Sequence, residues 1–274
     1  MSIPKITHQI WMQGWDNLPS KFKDNVSDLE EKNPDFNHRK WDEESLRVEC
    51  ARFSSAARDK FDSFKYLMQK VDFGRYVVLY NYGGVSVDTD MVSLKPINDT
   101  PKFLEADFII SSAAFPANIV GWVNTALIMC KKQHLILLEL IQSIIYTKLN
   151  ERDFTSKELY INATTSPSKF NSIVYKHIND VVILDHTYFE PCFSVDPICR
   201  PGAKSIMDHQ HELSWFNGNA KILAQVLIVL LYIVLFVGIP LLLIWLISLF
   251  VKEPKRFLTY FFLKSTETRK HRSR

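Results

Sequence analysis

The chain has 274 residues, with 33 Lys and Arg against 30 Asp and Glu, a net charge of +3. So even a balance argues against nucleic acid as a partner, because binding a phosphate backbone needs a clear basic excess. With the apolar C-terminal stretch and its tail set aside, roughly 215 residues remain, the size of one globular domain.

Ile3 to Trp11 reads as a first strand ending at a polar loop. From Met1 to Trp15 the apolar residues are broken by His8 and Gln9, so no secretory leader is expected. Pro19 to Glu31 suits a helix with Pro19 in its first turn, where the missing N–H costs nothing. Asn33 to Trp41 suits a turn and a second strand, and Glu43–Val48 and Ala51–Phe61 suit peripheral helices. Phe64 to Tyr82 has no proline and only Gly74 as an internal break, and reads as one helix. Asp72, Arg75 and Tyr76 are three and four apart and share a face of it. Alone, such a pair is a surface ion pair worth about 0–1 kcal/mol. Beside a metal site it presents a carboxylate and a guanidinium to sugar hydroxyls.

Gly83 and Gly84 then allow a sharp turn. Val85 and Val87 alternate with Ser86 and Asp88, which suits a short strand. Asp88 and Asp90 follow where the strand breaks into a loop, and two hard carboxylates at that spacing suit Mn²⁺ or Mg²⁺ that also holds a diphosphate. A bare Asp-x-Asp is more often a solvated turn. Leu94–Ile97 closes the loop, Phe108–Ser111 and Trp122–Met129 suit strands, His134 starts a helix through about Lys148, and Val181–Leu184 is a last apolar strand. Strands alternating with helices indicate an α/β domain with a largely parallel sheet. The four cysteines show no metal-ligand spacing; Cys192 and Cys199 flank a proline-containing loop and suit a disulfide in an oxidising lumen, with free thiols as the alternative. Sequons occur at Asn25, Asn98 and Asn162.

Ile222 to Val251 runs thirty residues without a charge. A spanning helix needs about 20 residues, so the segment 221–251 is expected to be membrane-embedded, as one long span kinked or tilted near Gly238 and Pro240, or as a membrane-dipping hairpin. Residues 252–274 form a basic tail, with eight Lys and Arg between Lys252 and Arg274.

Asp72-x-x-Arg75-Tyr76, followed by Leu79-Tyr80-x-Tyr82-Gly83-Gly84-Val85-x-x-Asp88-x-Asp90, resembles the sugar-binding region of glycosyltransferase family 32 and the matching unit of the large clostridial glucosylating toxins. Ile3-Pro4-Lys5-Ile6-x-His8-Gln9-Ile10-Trp11 resembles the same family's opening motif, and His209-Gln210-His211-Glu212-Leu213-Ser214-Trp215 its closing one. Two departures stand out. Thr165-Ser166-Pro167 replaces the family's Thr-Gly-Pro, and His134 alone remains of its Gly-His-Pro.

The resemblance implies a GT-A type nucleotide-diphospho-sugar transferase domain over residues 1–220, with a Rossmann-like mixed sheet. It implies that Trp11 lies against the nucleotide base, with Gln9 or Ile10 at its edge, and that Asp72, Arg75 and Tyr76 grip the sugar beside Asn124. Asp88 and Asp90 would hold the metal, with His211 or His209 completing its shell and Ser214 and Trp215 closing over the diphosphate. The implied enzyme is a retaining hexosyltransferase using a nucleotide sugar, GDP-mannose before a UDP-hexose. The Ser-Trp close followed by a membrane segment is similar to that of fungal inositol-phosphorylceramide mannosyltransferases, which favours a lipid head-group acceptor over a protein-linked glycan. A membrane-anchored sugar-binding protein without catalysis is the alternative from another class. Basic flanks stay cytoplasmic, so the tail is expected in the cytosol and, for one span, the catalytic domain in the lumen of the Golgi or endoplasmic reticulum.

Overall fold

The computed structural model describes residues 2–114, 117–192 and 200–211, then Ile222, residues 226–227, 229–230 and 232–250. The chain divides into two compact units, Met1–Trp215 and Phe216–Arg274.

The first unit is built on a six-stranded sheet. In chain order its elements are β1 (Ile6–Ile10), α1 (Ser20–Lys32), β2 (Asn37–Trp41), α2 (Glu43–Phe53), α3 (Ser55–Ser63), α4 (Leu67–Tyr82), β3 (Gly84–Val87), β4 (Met91–Ser93), β5 (Phe108–Ser111), β6 (Leu127–Cys130), α5 (Leu135–Ile145), α6 (Lys157–Thr164), α7 (Pro167–Val174), β7 (Val182–Leu184) and β8 (Met207–His209). The sheet order is β2-β1-β3-β6-β5-β7, and β4 leaves it to pair with β8. β1 runs parallel to β2 and β3, and β5 parallel to β7, but β6 is antiparallel to both its neighbours. Five of the six strands therefore run in one direction, as expected, and β6 alone makes the sheet mixed. The chain doubles back between β5 and β6 without a crossover helix, and a return of that kind makes an antiparallel pair.

Side-chain alternation divides the core between the two faces of the sheet. Phe108, Ile110, Ile128 and Cys130 join the helical core that contains α4. Val85, Val87, Ile109, Leu127 and Met129 face the other way, against Leu29, Met91 and Met207. Gly74 is the small residue that lets α4 meet α2: a Cβ there would lie 2.7 Å from Leu46 Cδ1. The strand expected from Trp122 shrinks to Leu127–Cys130, because the Asn124 side chain accepts a hydrogen bond from the Ala126 N–H (2.6 Å) and turns the chain there.

The passage from α4 to β3 is fixed by backbone and ring together. Gly83 and Gly84 have φ of 66° and 101°, and a Cβ on Gly84 would sit 2.4 Å from the Ile6 carbonyl oxygen. His8 of β1 is fully buried; its Nε2 donates to the Gly83 carbonyl (2.8 Å) and its Nδ1 accepts from the Trp41 indole (3.1 Å). The ring thus joins β1, β2 and the turn into β3 as a neutral imidazole, and burial lowers its pKa to about 4.

The second unit contains a π-helical turn, Val234–Gly238, running into a helix, Ile239–Phe250. The wider turn lies just before Pro240, whose ring blocks regular helical hydrogen bonding. Among the described residues no helix is long and apolar enough to cross a membrane. The basic tail lies outside the described residues.

His8 gives the fold a measurable pH dependence. Its folded pKa of about 4 lies below the ordinary 6.5. Above pH 6.5 the ring is neutral in both states; as pH falls from 6.5 to 4 only the unfolded chain takes up the proton. Stability from this group is therefore complete above about 6.5 and drops by up to ~3 kcal/mol on reaching pH 4. Chemical unfolding across that range should show the drop in the native protein. His8→Gln should be less stable at neutral pH and lack this share of the acid slope.

Candidate active site

The two aspartates sit where β3 ends. The Asp88 N–H donates to the Ala126 carbonyl (2.9 Å), and the Met91 N–H closes the turn on the Asp88 carbonyl (3.1 Å). β4 then pairs with β8 in a register that sets Met91 opposite His209, while the Gln210 N–H donates to the Asp90 carbonyl (3.0 Å). Asn25 of α1 latches this turn: its amide donates to the Thr89 carbonyl (3.0 Å) and to Gln210 Oε1 (3.2 Å). Asn25 is only 5% exposed, so the side chain that its sequon would modify is buried.

His209 lies between two carboxylates. Its Nε2 is 3.4 Å from Asp90 Oδ2 and its Nδ1 is 3.2 Å from Glu190 Oε1. Burial pulls this imidazole down, but hydrogen bonds to Asp90 and Glu190, and their charges, overturn that and push it up to about 10. His211 Nε2 is also 3.2 Å from Glu190 Oε1, and burial with the His209 charge pushes its ring down to about 4. The other oxygen of Glu190 accepts from the Ala114 N–H (2.7 Å). Ligand atoms of Asp88, Asp90 and His209 lie within 4.8 Å of one another, as do those of Glu190, His209 and His211. Carboxylate oxygens with an imidazole nitrogen are a donor set that fits Mn²⁺, with Mg²⁺ as the harder alternative.

Asp72 and Arg75 come to the same place from α4. Arg75 is 2% exposed; its Nη1 donates to the Thr125 carbonyl (2.5 Å) and its Nη2 to Asp88. Burial pushes the Asp88 carboxyl up to about 6, against the pull of this guanidinium. Asp72 is 1% exposed and accepts hydrogen bonds from the Ser166 and Thr165 hydroxyls, the latter at 3.3 Å. Burial raises its pKa, against the charge of Arg75 and those two hydroxyls. Serine at the position of the family's glycine thus adds a donor to the carboxylate.

These groups line an open cleft of about 520 Å³ with Ile10, Trp11, Asn124 and Ser166. Trp11 follows β1, with its ring 5.6 Å from that of Phe22. Arg75 Nε, Asn124 Nδ2 and Trp11 Nε1 are buried donors with no partner among the described residues. Two expected residues do not line the cleft. Tyr76 is fully buried, stacked on Phe170, with its hydroxyl donating to the Thr165 carbonyl (2.9 Å). Gln9 is buried within β1. Ser214 and Trp215 lie outside the described residues. Cys192 is disulfide-bonded, Cys50 and Cys130 are buried free thiols, and Cys199 is outside the described residues.

Sequence reasoning missed Glu190, Asn25 and the hydroxyl of Ser166. Each acts on a partner far away in sequence, so no local spacing marks it. Only Thr165-Ser166-Pro167 offered a signal, as a departure from the family's pattern.

Residues 19–107 match the family described as a glycosyltransferase sugar-binding region containing a DXD motif. An uncharacterized glycosyltransferase of Acanthamoeba polyphaga mimivirus is 27% identical over 194 residues, covering 69% of this chain and 74% of the viral protein. Inositol phosphoceramide mannosyltransferase 1 of Schizosaccharomyces pombe is 31% identical over 156 residues. That match covers 56% of this chain and 46% of the fungal protein, so the chain spans about half the length of this curated relative. Among solved structures, the PaToxG glycosyltransferase aligns with a TM-score of 0.43 and 18% identity, covering 65% of this chain and 71% of that one. Asp72, Arg75, Asp88 and Asp90 all lie inside the matched region, so this part of the chain is similar to the glycosyltransferase sugar-binding region that contains a DXD motif.

Proposed function

We propose that the chain is a membrane-anchored, metal-dependent, retaining glycosyltransferase of the GT-A type. It moves a hexose, mannose in preference, from a nucleotide sugar to a membrane-associated acceptor such as an inositol-phosphorylceramide head group. The observation that carries this reading is the pairing of a carboxylate–imidazole set with buried, unfilled donors on Arg75 and Asn124 in one cleft. A diphosphate and a polyol offer the oxygens that such donors lack. The name of the fungal relative supports mannose and a lipid acceptor.

In this reading Trp11 stacks on the base. Asp88, Asp90 and His211, or His209 in its neutral form, would hold a divalent cation, which would supply positive charge to the departing diphosphate. Arg75 and Asp72 orient the hexose, and Asn124 donates its free amide hydrogens to it. The anomeric C–O bond to the diphosphate breaks while the acceptor oxygen attacks from the same face, and the acceptor proton passes to the departing phosphate oxygen. No side chain takes the role of covalent nucleophile, so the rate comes from positioning and electrostatics.

Asp90→Asn should fold like the native protein and lose transfer by about 100-fold or more, because it removes charge facing the diphosphate. Asp88→Asn should act nearly as strongly. Purified protein with GDP-mannose or UDP-hexoses and Mn²⁺ provides the assay. Full activity in excess EDTA, or in either variant, contradicts the metal's role.

Arg75→Lys retains a charge but cannot serve Asp88 and the Thr125 carbonyl together, so transfer should fall roughly 10-fold or more. Trp11→Ala should mainly raise the donor KM. Unchanged donor affinity in Trp11→Ala would leave that ring a packing residue against Phe22.

The proposed topology puts the catalytic unit in the lumen of an endomembrane and the basic tail in the cytosol. On sealed microsomes, protease should then remove the tail and spare the catalytic unit until detergent is added. Digestion of both without detergent establishes a membrane hairpin instead.

A further inference from the structure

The cleft has an apolar rim that a sugar cannot use. Leu67, Met68 and Val71 line it from the first turns of α4, on the helix that carries Asp72 and Arg75. At 1.5 Å per residue, Leu67 lies about 7.5 Å before Asp72 along the axis. Trp122 lines the cleft from the opposite chain segment, two residues before Asn124. Leu67 is 44% exposed and Trp122 37% exposed, which puts both at the opening rather than the floor. None of the four side chains but the indole offers a hydrogen bond, so a polyol gains little from them.

The rim continues onto the surface. Ile119 and Val120 precede Trp122 and are 68% and 71% exposed. Their loop is held in place: the Gly121 N–H donates to the Asn118 carbonyl (3.0 Å), the Trp122 N–H to the Ala117 carbonyl (3.2 Å), and the Tyr175 hydroxyl to the Gly121 carbonyl. Single exposed aliphatic residues need no explanation, whereas a set joined to a reaction cleft marks a contact surface. The same chain carries the thirty-residue uncharged run Ile222–Val251, so hydrocarbon is the partner chemistry that its own sequence provides for.

We propose that this rim, from Leu67 and Met68 across to Trp122 and out to Ile119 and Val120, contacts the acyl part of a bilayer lipid acceptor whose polar head enters the cleft at Asp72. The inference rests on the transferase reading above and adds where the acceptor's hydrocarbon lies. The lipid needs only to rise partly from the bilayer, because the rim residues of α4 all lie within about 7.5 Å of Asp72 along the helix axis.

The test uses the full chain in phosphatidylcholine vesicles containing phosphatidylinositol with a photoactivatable group on its acyl chain. After irradiation, labelled peptides are identified by mass spectrometry. Label is expected on the 117–122 loop and on the Leu67–Val71 peptide, besides the run Ile222–Val251. Ile119→Asn with Val120→Asn should cut the loop and helix labelling about tenfold while sparing the run. Label confined to the run, or none at all, overturns the proposal. The melting-temperature shift with Mn²⁺ and GDP-mannose, and with Mn²⁺ and UDP-hexoses, is measured on the same vesicles. If that shift is missing while the rim is labelled, the transferase reading fails and the lipid contact stands.

Discussion

One guanidinium holds the site together. Arg75 reaches from the middle of α4 to the Asp88 carboxylate and the Thr125 carbonyl, so a helix, the end of β3 and the loop before β6 meet at a single planar group. A planar fork suits this task because its donors point in fixed, separate directions. Placing a charge at 2% exposure is costly without partners. Asp88 supplies one, and in return Arg75 offsets part of the cost of burying that carboxylate.

The neighbouring charges follow the same logic without balancing. Asp72, Asp88, Asp90 and Glu190 bring four carboxylates to the cleft, and Arg75 and His209 bring two cations. His209 lies between Asp90 and Glu190 much as a small cation would, which is why its ring holds a proton so firmly. The remaining negative charge is the kind of excess that a divalent ion bound beside a diphosphate would meet. Glu190 matters here through reach rather than exposure, since one oxygen faces both imidazoles while the other is fixed by the Ala114 N–H.

Much of this was legible because it is local. Asp72 and Arg75 share a helix face by spacing alone, and the Gly83-Gly84 turn with its following aspartates is written in consecutive residues. Tyr76 shows the limit of that argument. It stands one turn from Asp72, yet the few tens of degrees between them direct its ring to Phe170 and the core. The direction of β6 was not legible, because it depends on how the loop before it returns, a loop in which the Asn124 side chain accepts from the Ala126 N–H two residues on. Glu190, Ser166 and Asn25 act across long sequence distances, where no periodicity operates. His209 and His211 were visible only through a family's closing motif, and pairing of β8 with β4 is what brings His209 beside Asp90.

Asn25 carries a consequence for the biosynthesis of the chain. Its amide is the latch on the turn that presents Asp88 and Asp90, and it is also the nitrogen to which an oligosaccharide would be joined. A glycan there would consume a latch hydrogen and need room that a 5% exposed side chain lacks. Modification of this sequon and assembly of the acidic turn are therefore mutually exclusive fates of one nascent chain.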